Sequence, residues 1–227
     1  MYISGKNVVN EYIVSGKKIK KAFVGRNYNE YSVLNKLENR KVNIITKEKH
    51  ELDRLASHNQ GIILEVEDYE YGNLYDIDED IVVVLDHLED PHNFGAIIRS
   101  CEAAGIKYII IPKDRSVSVN ETVMKTSAGA LNHVNVIMVT NLNQAISELK
   151  DKGFWFVGMD MDGANYKEID YTGKVGLVVG SEGNGMSNLV KKNCDFIASI
   201  PMKGHVNSLN ASVAGAIIIF EAVSRRS

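Results

Sequence analysis

Cysteine is scarce in this chain, with only Cys101 and Cys194 among 227 residues. Each lies in an apolar segment with no partner at metal-ligand spacing. That argues against a disulfide framework and for buried, reduced thiols in a cytoplasmic protein. Membrane-spanning runs are missing too. The apolar stretch from Ala211 to Phe220 falls well short of the ~20 residues a bilayer requires. The opening MYISGKNVVNEYIV has no basic region followed by a long apolar core, so no signal peptide is expected. A strong charge of one sign is also absent. The net charge of −3 and pI near 6.1 do not suit a protein that coats nucleic acid. Two phosphate fingerprints are lacking: Gly180, Gly183 and Gly185 run GxxGxG, not GxGxxG, and no GxxxxGK[ST] occurs. The stretch from Asp86 to His92 holds two His, two Asp and one Glu. No pair has the spacing that sets ligands on one helical face, so no metal is expected.

What charge there is lies unevenly. Residues 1–66 carry 12 Lys and Arg against 7 Asp and Glu, while residues 67–80 (EDYEYGNLYDIDED) carry seven acids and no base. A basic lobe attracts polyanions and an acidic connector repels them. In the basic lobe, apolar spacing predicts helices over Gly5–Ser15, Tyr28–Asn39 and Glu48–Ser57. It predicts strands over Lys20–Val24, Val42–Thr46 and Gly61–Val66. The result is a small αβαβαβ domain over residues 1–66. Lys17, Lys18, Lys20, Lys21, Arg40 and Lys41 form either its solvated face or a surface for RNA backbone. Residues 67–80 show no period and read as an acidic domain linker, with a composition that suits mobility and a packed connector as the alternative.

From Ile81 the pattern alternates strand and helix. Strands are predicted over Ile81–Leu85, Lys107–Ile111, Val134–Val139, Phe154–Asp160, Gly176–Gly180 and Phe196–Ile200. Helices are predicted after Pro91 up to Gly105, over Asn143–Lys152 and Met186–Asn193, and from Asn210 onward. Pro112–Asn132 reads as a polar segment. IVVVL is apolar throughout, as befits a strand covered on both faces, and the alternation defines an α/β domain with a mainly parallel sheet over residues 81–227. Ligands of such sheets bind at the carboxyl ends of the strands. Three polar loops lie there: DHLEDPHNFGAIIR, VVGSEGNGMS and IPMKGHVNSLN. The third leads into the closing helix, with Ser208 and Asn210 at its capping positions. Free N–H groups at such a helix start suit a polar ligand.

Taken together, HNFGAIIR (His92–Arg99), VVGSEGNGMS (Val178–Ser187) and IPMKGHVNSLNASVA (Ile200–Ala214) resemble the three motifs of the SpoU (TrmH-like) family. That family belongs to the SPOUT superfamily of RNA methyltransferases. The resemblance covers 81–227 well. Residues 1–66 resemble, more loosely, the substrate-binding domain of members that methylate a guanosine ribose in 23S rRNA. It implies a C-terminal trefoil knot, where pattern alone reads an ordinary doubly wound sheet. It also implies a homodimer through the knotted region and S-adenosylmethionine as methyl donor, with no metal. Position by position, Gly180, Ile200 and Leu209 are implied to hold the cofactor. Asn93 and Arg99 are implied to lie at the ribose and phosphate of the target, with Glu182, Ser208 and Asn210 completing the site. The family's proposals make Arg99 a base; a guanidinium rarely releases its proton, so binding phosphate and orienting the ribose is the better-founded role. The same motifs also fit a tRNA or another rRNA site. A non-catalytic RNA-binding protein and, more distantly, a nucleotide-dependent oxidoreductase are the alternatives of other classes.

Overall fold

Two β-sheets organise residues 1–226, which this computed structural model describes. The first sheet contains β1 (Tyr2–Ser4), β2 (Ile19–Gly25), β3 (Ile44–Lys47) and β4 (Ile62–Val66), in the order β1-β4-β2-β3. β2 and β3 pair in parallel, and β4 runs antiparallel to both β1 and β2. Three helices connect the strands: α1 (Lys6–Val14), α2 (Tyr31–Asn39) and α3 (Lys49–Leu55). α1 buries Val8, Val9, Tyr12 and Ile13, the positions whose helical spacing marks its inner face. Glu48 and Glu51 start α3 with a reciprocal capping box. β1 is an addition to the expected αβαβαβ pattern. Three residues cannot display an alternation, yet Ile3 is fully buried.

Residues 67–80 are tied down, in contrast to the mobility their composition suggests. The Tyr69 hydroxyl donates to the Val134 carbonyl and accepts from the Val136 N–H, and the Tyr71 hydroxyl accepts from the Val119 N–H. Gly72 bridges to Ile137, and the Tyr108 hydroxyl bonds to Asp78 and to the Asp76 carbonyl. The acids are used as well: Glu67 pairs with Lys18, Asp68 with the N-terminal amine, and Glu79 with Lys107.

The second sheet is entirely parallel. Its strands are β5 (Ile81–Asp86), β6 (Tyr108–Pro112), β7 (Asn135–Val139), β8 (Trp155–Asn165), β9 (Val175–Gly180) and β10 (Phe196–Ser199), in the order β10-β8-β9-β5-β6-β7. The helices are α4 (Pro91–Ala103), α5 (Glu121–Thr126), α6 (Leu142–Asp151), α7 (Asn188–Asn193) and α8 (Ala211–Ser224). Successive residues of β5 serve opposite faces. Val83 and Leu85 join Ile97, Ile98, Ile218 and Ile219 of α4 and α8, whereas Val82 and Val84 join Ile146, Leu149 and Val190 of α6 and α7. Period-two alternation under helices on both sides leaves no polar position, hence the unbroken apolar run. Strand order reverses between β5 and β9, and in such sheets the crevice at the reversal is where ligands bind.

Some elements differ from the sequence reading. α5 lies inside the polar segment 112–132; at six residues it is too short to show a period, and Asn120 caps it. β8 extends five residues past Asp160, and α7 begins at Asn188 rather than Met186. Gly95 of α4 lets α5 approach closely, since a Cβ there would sit 2.5 Å from the Thr126 Cβ.

Candidate active site

β5 and β9 end side by side, with Asp86 in register with Gly180. The Asp86 side chain is buried and both of its oxygens are engaged. Oδ2 accepts the Ser187 N–H at 2.6 Å, and Oδ1 lies 2.5 Å from His87 Nδ1. This carboxylate therefore fastens the loop after β9 to the end of β5. The loop after β6 is pinned to the same place, because Val117 N–H and the Ser116 hydroxyl both donate to the Leu88 carbonyl, at 2.8 and 3.2 Å. Between the three loops lies a cavity of about 630 Å³, lined among others by His87, Glu89, Asp90, Arg115, Glu182 and Asn184.

The three motif stretches meet on Asn210. Its Oδ1 caps α8 by accepting the Ser212 and Val213 N–H groups. Its Nδ2 donates to Asn93 Oδ1 at 2.9 Å and to the Glu182 carboxylate. Asn93 sits in the first turn of α4, which Asp90 caps and Pro91 starts. It is 5% exposed, and its own Nδ2 is a buried donor with no partner. A buried unpaired donor is costly, so one aimed at a site is ready for a ligand acceptor.

Gly180 allows the loop after β9 to fold back on its strand. A Cβ there would lie 2.2 Å from the Gly185 carbonyl carbon and 2.4 Å from Met186 N. Ser181 and Gly185 close the turn with two mutual backbone hydrogen bonds of 3.0 Å. Ile200 is half-buried after β10, Leu209 is half-buried before α8, and Ser208 is exposed. Among the described residues, none hydrogen-bonds to the backbone of residues 201–209. Free N–H and C=O groups of this kind, with the unpaired Asn93 Nδ2, fit a polar cofactor that needs backbone contacts. Arg99 lies on α4, exposed, and pairs with no described acid. The structure thus joins Asn93, Glu182 and Asn210 directly, while no hydrogen bond ties Arg99 or Ser208 to them.

Asp86 entered the sequence reading only as a rejected metal ligand. Its signal is an acid directly closing a wholly apolar strand. No group of three or more His, Cys, Asp or Glu placed to hold a metal occurs among the described residues, and no described helix is long and apolar enough to cross a membrane. Burial pushes the Cys101 thiol up, and it pushes the Cys194 thiol up to about 12 with help from Asp195, so neither is a ready nucleophile.

The basic strip of the first sheet domain is largely spent on the protein itself. Arg40 donates to the carbonyls of Ile13, Gly16 and Lys17. Lys18 pairs with Glu67 and Lys21 with Glu65. Lys17 lies over the Tyr69 ring at 5.9 Å, and burial lowers its pKa. Of the six, only Lys20 and Lys41 have side chains with no hydrogen bond, ion pair or ring contact to a described residue.

This arrangement, a parallel sheet preceded by a small α/β unit, superposes on solved SpoU methyltransferases. One such structure, AviRb from Streptomyces viridochromogenes in complex with AdoMet, superposes with a TM-score of 0.86 over 99% of this chain and 90% of that one, at 24% identity. An AdoMet-bound rRNA methyltransferase from Sinorhizobium meliloti gives 0.81 over 97% of this chain and 85% of that one, at 25% identity. Residues 80–220 match the SpoU rRNA methylase family, and residues 2–72 match the RNA 2'-O ribose methyltransferase substrate-binding domain. A Staphylococcus epidermidis protein assigned to the TrmH family of tRNA/rRNA methyltransferases is 43% identical over 237 residues, 99% of this chain and 95% of the relative. The chain belongs to the SpoU rRNA methylase family of RNA methyltransferases.

Proposed function

We propose that this protein transfers a methyl group from S-adenosylmethionine to a ribose 2′-oxygen in RNA, on a guanosine of 23S rRNA. The observation that carries the reading is the junction of Asn93, Glu182 and Asn210, three residues from three separate motifs, at the ends of β5 and β9. The cofactor, when bound, supplies an activated methyl on a sulfonium. In this reading Gly180, Ile200 and Leu209, with the unpaired backbone after β10, hold it. Asn93 and Glu182 orient the ribose, Asn210 fixes the start of α8 beside it, and Ser208 completes the site. Arg99 binds the phosphate of the target nucleotide and aligns its 2′-OH for in-line attack, an effect of positioning. A 2′-OH acceptor restricts the substrate to RNA.

The same reading divides the chain into a substrate-binding domain (1–66), a connector (67–80) and a methyltransferase domain (81–227). It includes a trefoil knot around α8, a homodimer through the knotted region and a cytoplasmic location. Support for the dimer comes from α8, where Val213 and Phe220, two turns apart, are each 48% exposed. The test is methyl transfer from labelled S-adenosylmethionine to 23S, 16S and tRNA fractions from cells lacking the protein, with the product nucleoside identified. Label at a guanosine 2′-O in 23S rRNA is the expected result. Label in tRNA alone overturns the choice of RNA, and no label in any fraction overturns the activity.

A further inference from the structure

Outside the Asn93–Glu182–Asn210 junction, the cavity of about 630 Å³ has a side-chain inventory of its own. Its size suits one nucleobase with part of its sugar. Of the side chains lining it, Arg115 supplies the one cationic donor. It is exposed, sits at φ +51°, and forms neither an ion pair nor a hydrogen bond with any described residue. That is unusual for a guanidinium in a cavity that also holds Asp86, Glu89, Asp90 and Glu182. Its loop is held in place through the Ser116 and Val117 bonds to Leu88, so the cation is built into the site. The loop after β5, which lines the same cavity, is rich in acceptors. His87, at φ +56°, has its Nδ1 against the buried Asp86 carboxylate. In the neutral ring that bond takes the Nδ1 proton, which leaves Nε2 as an acceptor. The Glu89 carboxylate has no partner among the described residues. Leu88 and Met186, both buried, give apolar walls.

A guanine base is complementary to this set. Its O6 and N7 are adjacent acceptors that a guanidinium reads with two hydrogen bonds, and its N1–H and N2–H₂ edge needs acceptors. Adenine reverses the O6 position to a donor, and the pyrimidines lack N7. We infer that this cavity receives the base of the target nucleotide and selects guanine, with Arg115 reading O6 and N7 and with His87 and Glu89 accepting from the N1 and N2 edge. The inference rests on the methyltransferase reading and adds the residues that choose the base. Glu182 belongs to both places, since it lines the cavity and bonds Asn210, so a base held here leaves its ribose beside the junction.

The test uses the full chain and a synthetic RNA spanning the position methylated in the fractionation experiment, carrying guanosine, 7-deazaguanosine, inosine or adenosine there. For the unaltered enzyme, loss of N7 is expected to lower kcat/KM about tenfold to a hundredfold. Arg115→Ala is expected to be slow on guanosine and 7-deazaguanosine alike, with S-adenosylmethionine affinity unchanged. Arg115→Lys, which keeps charge but loses the fork, recovers only part of the rate. His87→Asn, a residue that tolerates positive φ, is expected to narrow the preference for guanosine over inosine. An Arg115→Ala enzyme that still distinguishes guanosine from 7-deazaguanosine as the unaltered enzyme does overturns the inference. So does an unaltered enzyme indifferent to N7. Methylation of a ribose on another base overturns the guanine pocket while the methyltransferase reading stands; absence of any methyl transfer overturns both.

Discussion

The two sheet domains use their polar residues in opposite ways. In the N-terminal domain, cations that look on paper like an RNA surface are engaged by the protein at its surface: Arg40 ties three carbonyls, and Lys18 and Lys21 meet acids. In the C-terminal domain, the Arg99 and Arg115 side chains, the Asn93 Nδ2 donor and the backbone of 201–209 have no partner within the described chain. The difference shows that a count of basic residues is a poor guide to where a polyanion binds. The better guide is polar capacity left unspent in a place whose fold could easily have used it.

The largest expected effect falls on the unspent side. Arg99→Ala should lower methyl transfer by about a hundredfold or more, as loss of an aligning phosphate contact does. Calorimetry should show S-adenosylmethionine still bound. Near-normal turnover would remove Arg99 from the site and break the contrast between the domains.

On the spent side the effect should be small. Replacing Lys18 and Lys21 together by Ala should weaken binding of the RNA substrate by less than about threefold. The dependence of log affinity on log salt should change by less than about 1, because neither lysine is held free for a phosphate. A drop of two units in that slope would mean that RNA displaces Glu67 and Glu65, and that the strip is a binding surface after all.

Smallest is a pH effect on a pair that serves structure alone. Lys191 bonds Asp160 at 2.7 Å and, through that hydrogen bond, holds its carboxyl below the usual range, joining α7 to β8. A depressed folded-state pKa gives stability that is present above the unfolded value of about 3.9 and is lost as pH falls through the folded value. Asp160→Asn should therefore melt slightly lower than the unaltered protein at neutral pH. The two melting curves should converge once pH drops well below 4.

Much of the fold is legible in the sequence because its strongest strands are covered on both faces. Residues 81–85 and Val175–Gly180 include no polar side chain, and α1 displays its inner face in four residues. β1 and α5 are not legible, since three and six residues cannot show a period. The tying of the connector is hidden for another reason. It depends on Tyr69 and Tyr71 reaching groups 48 to 67 residues away, and an acidic, Tyr-rich stretch looks the same whether or not those partners exist. In the site, Asn93, Glu182 and Asn210 are readable because each lies in a motif. The roles of Asp86 and Arg115 emerge only when three loops are brought to one point.

The most direct test of the central claim is a double-mutant cycle on single-turnover methyl transfer, with Asn93→Ala, Glu182→Ala and the combined variant, each checked for folding by thermal melting. If Asn210 joins these residues into one working unit, the second substitution should cost little once the first is made. The combined variant is then expected to fall within about tenfold of the slower single one. Losses that multiply in full would contradict the account, because they would show Asn93 and Glu182 acting independently of the junction that Asn210 makes between them.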